Sequence, residues 1–124
     1  MIHVQTGLGM AERTRRQRAR DRERLLAELP DLGQVLRGSL VTRYRRCGKA
    51  GCHCAREDDP GHGPAHYLMV TVPPGRTVTI YVAEKDREGV LTLLENFRRA
   101  RDVLEEISTL NRSMLKEGTL FPGG

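Results

Sequence analysis

The run Cys47-Gly-Lys-Ala-Gly-Cys52-His-Cys54, an acidic linker, and then His62-Gly-Pro-Ala-His66 decide how this chain is read. Twenty positions hold all three cysteines and three of the four histidines. A tetrahedral ion such as zinc prefers four soft or borderline donors, and a C-x4-C-x-C spacing supplies three thiolates from one tight loop. Gly48 and Gly51 let the backbone turn sharply enough to aim the sulfurs inward. The fourth donor has to come from outside that loop. His62 stands between two glycines and before Pro64, which bends the backbone and fixes its position, and it is the first choice. His66 and His53 are the alternatives. His53 is the weaker, because Cys52 and Cys54 beside it already use the inward direction.

Other uses of three cysteines are buried apolar packing, a redox switch, or one disulfide with a thiol left over. The odd count, the absence of an apolar leader region and the arginine-rich composition argue against a secreted disulfide scaffold. Clustering with histidines argues against ordinary core cysteines. Three thiolates and an imidazole leave no open position for water, so the metal reads as a scaffold rather than a catalyst. The His-x-Glu that zinc deaminases place before their cysteines is also missing.

Strand patterns flank the loop. Ser39–Arg46 alternates, with Leu40, Thr42 and Tyr44 on one face and Val41, Arg43 and Arg45 on the other. Ala65–Val72 places Leu68, Val70 and Val72 on one face. After the Pro73-Pro74-Gly75 turn, Arg76–Val82 directs Val78, Ile80 and Val82 inward. The expectation is a small antiparallel sheet of about three strands, its first two tied by the metal loop. Arg43, Arg45, Arg46 and Lys49 form a basic cluster at the rim, suited to phosphate contact or to solubility alone.

A helix is expected from residue 84 to about 117. Glu84, Asp86 and Glu88 favour its start, and Gly118 its stop. Val90, Leu93, Phe97, Ala100, Leu104, Ile107 and Met114 follow a 3–4 spacing with Asn111 at an a position, while Leu94, Val103, Leu110 and Leu115 widen the stripe. Some thirty helical residues span ~50 Å, more than three short strands can cover. The remainder has to meet the N-terminal helix or the same helix of a second copy. Asn at an a position favours the copy, a coiled-coil homo-oligomer, since it fixes pairing register.

Charge is unevenly spread. The chain of 124 residues carries +5 overall, but residues 1–56 hold thirteen basic side chains against five acidic ones, net +8. Arg13, Arg15, Arg16, Arg18, Arg20, Arg22 and Arg24 fall within twelve positions, on a segment that reads as helix from Ala11 to Pro30 after a loosely held start. They surround the helix rather than lining one stripe, and an anionic polymer would relieve their repulsion. Leu25, Leu26, Leu29 and Leu32 are the anchors that dock its end. Arginine forks suit phosphate, and equally an acidic protein partner.

The run GSLVTRYRRCGKAGCHCAREDDPGHGPAHYL, then GRTVTIYV and a long charged helix, resembles a family of short bacterial proteins of unknown function. Its members carry Cys-Gly-Lys-x-x-Cys-x-Cys followed by His-Gly-Pro and are often found near transposases and other mobile elements. The likeness covers residues 38 to about 116. It implies Cys47, Cys52, Cys54 and His62 as the metal ligands; Ala65 departs from it, standing where members tend to have an aromatic residue.

The combined expectation is an α+β protein with four segments: a basic arm (1–37), a zinc-knuckle sheet (38–83), a long helix (84–117) and a tail (118–124). Its partners would be nucleic acid, DNA favoured, a second copy, and a protein encoded nearby. No stretch approaches membrane length, so the expected location is cytoplasmic, at the nucleoid if DNA is bound. No paired-carboxylate, Ser-His or phosphate-loop pattern points to an enzyme; Glu57-Asp58-Asp59 reads as a solvated loop, with a Mg-dependent nuclease the one enzymatic alternative.

Overall fold

The computed structural model describes residues 2–121, with side chains from Thr14 onward. In order come α1 (Ile2–Ala27), β1 (Ser39–Arg45), β2 (His62–Val72), β3 (Arg76–Val82) and α2 (Arg87–Glu117). The strands form one antiparallel sheet in the order β1-β2-β3. With a helix at each end, this is the α+β architecture that the pattern implies.

Contacts divide the chain into two compact units. One is built from residues 34–97, and the other from α1 with the part of α2 beyond Phe97. The division falls inside α2.

In the sheet unit, Leu40 pairs with Leu68 and Leu68 with Ile80. That register puts the apolar residues of three strands on one face. Leu68, Val82 and Leu94 form its buried core, with Leu36, Leu40 and Val90 packed against them. The segment before β1 is fixed by two bonds to α2. The Leu36 amide donates to the Leu93 carbonyl at 3.1 Å, and Asn96 Nδ2 to the Gln34 carbonyl at 2.9 Å. Ile80, expected inward, is 51% exposed: it lies on the edge strand β3, outside the Leu68–Val82–Leu94 core that α2 closes.

In the helical unit, Ala100, Val103, Leu110 and Met114 are buried and Ile107 is half-buried. The covered face is therefore 100-103-107-110-114. Leu104, expected on it, is 61% exposed, because the seam takes a three-residue step at Val103 and leaves Leu104 about 100° to one side. α1 begins at Ile2 rather than near Ala11, and ends at Ala27 rather than Pro30. Extending a formed helix adds one bond per residue fixed, which carries it through Gly7 and Gly9. At the other end Pro30 disfavours helical geometry in the residue before it, and the Glu28 and Leu29 amides reach back only three residues. Leu25 and Leu29 are half-buried there, whereas Leu26 and Leu32 are 52% and 59% exposed. At the end of α2, Gly118 (φ 75°) lets the Thr119 amide reach the Met114 carbonyl at 2.8 Å, closing the helix.

Leu94 is 3% exposed at the centre of the sheet core. Leu94→Ala is expected to cost about 2–4 kcal/mol in urea unfolding, whereas Leu104→Ala should change stability by less than about 1 kcal/mol.

Candidate metal centre

The sixteen residues between β1 and β2 would be a long, costly hairpin loop if left open. They are folded by successive short turns. The Cys52 amide donates to the Lys49 carbonyl, Ala55 to Cys52, Arg56 to His53 and Asp59 to Arg56, at 3.0–3.3 Å. Cys47 follows the end of β1, and His62 opens β2 opposite Arg45. The register slips between Arg43 and Arg45, and this is where β2 presses against β1. Gly61 (φ 104°) and Gly63 (φ 142°) bracket His62, and a Cβ on Gly63 would lie 2.8 Å from the Arg43 carbonyl oxygen. Only glycine allows that approach, so these two residues fix where the imidazole stands.

The ligand atoms of Cys47, Cys52, Cys54 and His62 all lie within 4.8 Å of one another. Cys47 Sγ is 3.5 Å from Cys54 Sγ, and Cys52 Sγ is 3.1 Å from His62 Nε2. A tetrahedral ion with bonds of about 2.3 Å to sulfur would separate its donors by roughly 3.5–3.8 Å. The donors are gathered to that scale, and shifts of up to about 1 Å would bring them onto a tetrahedron.

Electrostatics point the same way. The Lys49 amide, then His62 and Cys54, lower the Cys47 thiol to about 6. Cys54, almost wholly buried, receives the Cys47 amide at 3.3 Å, which pulls its thiol down. Desolvation and the neighbouring Cys47 and Cys52 sulfurs outweigh that bond and push it up. Three sulfurs this close cannot all ionise against one another, and a cation at their centre removes the conflict. The donor set fits a soft divalent ion, and its four places are filled by protein.

The other histidines have different work. His66 is 5% exposed on the inner face of the sheet. Its Nδ1 lies 2.9 Å from Thr42 Oγ1 and its Nε2 2.5 Å from Glu84 Oε2. A neutral ring satisfies both by donating from Nε2 to the carboxylate and accepting the threonine hydroxyl at Nδ1. His53 packs edge-on against the His62 ring at 4.8 Å and bonds Asp59 Oδ2 at 2.9 Å. The His53 bond, then the Gly61 amide, hold the Asp59 carboxyl below the usual carboxylate range. That contribution is complete above pH ~4 and is lost as pH falls through the lowered value.

Arg46 is the residue whose role the sequence hid. Its guanidinium turns into the loop and donates to the carbonyls of Cys54, Arg56 (2.9 Å) and Asp59 (2.6 Å). Those donors are spent on the loop and not on a ligand. Arg43 reaches over the Tyr67 ring at 5.7 Å, while Arg45 and Lys49 are exposed at the rim.

The α1 arginines sort into two rows. Arg15, Arg18 and Arg22 are half-buried. Arg18 bonds Glu117 at 2.7 Å and Arg22 bonds Asn111 at 3.1 Å, so Asn111 meets α1 of its own chain. The Arg15 Nε is enclosed without an acceptor among the described residues. Arg16, Arg20 and Arg24 form a separate exposed row four residues apart. The side chain of Arg13 lies outside the described residues.

Three substitutions probe the centre. Cys52→Ser should release the ion and lower Tm by about 10 °C or more, since binding energy is folding energy here. His62→Ala should lose the metal in elemental analysis. His66→Ala should keep it while losing about 1–3 kcal/mol from its buried bonds.

Among the described residues, no helix is long and apolar enough to cross a membrane. No curated protein and no solved structure matches the chain. The family model described as "Domain of unknown function (DUF6788)" matches residues 12–91. Its span takes in most of α1 and stops early in α2, a different extent from the 38–116 suggested by the motif. Covering well over half of the 124 residues, the match places the chain in the DUF6788 family.

Proposed function

We propose that this chain is a zinc-stabilised nucleic-acid-binding protein, DNA favoured, that serves as an accessory or regulator, in the setting of a bacterial mobile element. The observation that carries the reading is the exposed row Arg16, Arg20 and Arg24 on the helical unit; the sheet unit, by itself, also exposes Arg43, Arg45 and Lys49. Arg20 is held by Gln17 at 3.4 Å and Arg24 by Asp21 at 2.9 Å. Such surface contacts are worth little and are readily exchanged for phosphate. The four-donor centre is read as structural zinc, keeping the loop and its rim in one shape. With no coordination position left for water, the reading is of a binder rather than an enzyme.

A second reading has its own support. Leu104 and Leu115 are each 61% exposed and lie eleven residues apart, three turns along one side of α2. They favour a protein partner or a second copy docking there, with the zinc purely structural.

The test is binding of the zinc-loaded protein to a random DNA duplex across a salt series. A steep linear fall of log affinity with log salt is expected, and Arg16→Ala/Arg20→Ala/Arg24→Ala should reduce its slope by about 2–3. Absence of binding to both duplex and single-stranded DNA at low salt overturns the reading and moves the weight to the α2 surface.

A further inference from the structure

We propose that the cavity on the outer face of the sheet binds an unpaired nucleobase with its flanking phosphate, so that the preferred ligand is single-stranded nucleic acid. This rests on the nucleic-acid reading above and names the class of ligand.

The sheet has two faces of different kinds. The inner one is mostly apolar, with the Thr42–His66 bond in it, and packs on α2 through Leu68 and Val82. On the outer one Val41, Tyr67 and Tyr81 stand in one cross-strand row, with Arg43 one pair along, opposite Ala65. Here lies an open cavity of about 510 Å³, within the ~300–1,000 Å³ usual for small-ligand sites. Tyr44 and Tyr67 form its walls, and Gly63 and Ala65, with no bulk beyond a methyl, leave its floor open. Arg43 and Arg45 supply its charge, and no carboxylate lines it.

Each part has a counterpart in a nucleotide. Tyr44 is 49% exposed, and its ring passes over Gly63. Tyr67 is held edge-on by Tyr81, ring centroids 5.9 Å apart, so its orientation is set before anything binds. The Arg43 guanidinium, over the Tyr67 ring, offers its far side as a further flat surface. Arg45 has no acceptor for its guanidinium among the described residues, and a phosphate would provide one. Aromatic rings and a guanidinium on an exposed sheet face suit bases, every one of which has a π-face. In a duplex those faces are stacked on their neighbours and out of reach. An unpaired strand presents them.

The experiment compares three ligands on the zinc-loaded full chain: an oligothymidylate of about twelve nucleotides, an abasic strand with the same number of phosphates, and a duplex. The proposal expects the oligothymidylate to bind most tightly. Tyr67→Ala and Tyr44→Ala should each weaken it roughly five- to a hundredfold, and Tyr67→Phe should restore it. Thermal melting verifies that each variant folds. As an independent readout, 5-iodouracil in the strand should photocrosslink to Tyr44 or Tyr67. An abasic strand that binds equally well, or crosslinks confined to α1, overturns base stacking while leaving phosphate binding in place. Failure of all three ligands at low salt overturns the nucleic-acid reading itself.

Discussion

The β1–β2 hairpin has sixteen residues between its strands, and closing them is the constraint on which the sheet unit depends. Two devices meet at the mouth of that loop. Arg46 gathers the carbonyls of Cys54, Arg56 and Asp59 from within. Around it the donors of Cys47, Cys52, Cys54 and His62 converge within 4.8 Å. The first satisfies backbone groups that a compact loop would otherwise leave unpaired. The second brings sulfurs together at the expense of their ionisation, a conflict that a bound cation resolves. With Gly61 and Gly63 pressed against β1, the imidazole has one place to stand.

From that mouth outward, the two faces of the sheet take different duties. The inner face meets α2 through Leu68, Val82 and Leu94. His66 joins β1, β2 and the turn before α2 through Thr42 and Glu84. The outer face leaves Tyr44, Tyr81, Arg43 and Arg45 exposed and Tyr67 half-buried, and the proposed ligand would lie there. The helical unit has its own logic: arginines facing α2 bond Glu117 and Asn111, while those turned away stay exposed.

Much of this was legible in the sequence because it depends on local rules. The cysteine spacing, the period-2 runs and Gly118 each specify structure within a few residues. The choice among His53, His62 and His66 was open for the opposite reason. It depends on the register that sets His62 against Arg45 and His66 against Thr42, and that register follows from a bulge no local pattern announces. Arg46 reads as a surface cation in sequence, since a guanidinium bonded to carbonyls ten and thirteen residues ahead leaves no periodic trace. Leu104 and Ile80 were misplaced because a stripe says which residues are apolar but not which ones a neighbour covers. Asn111 reads as a register device between copies, and a periodic stripe carries no sign of its bond to Arg22 of the same chain.

The central claim is that three sulfurs and one imidazole surround a single ion. X-ray absorption at the zinc edge of the metal-loaded protein tests it without relying on stability or binding. The account predicts one zinc per chain, with three sulfurs at about 2.3 Å and one nitrogen at about 2.0 Å. A shell dominated by oxygen, or one with fewer than three sulfurs, would contradict it.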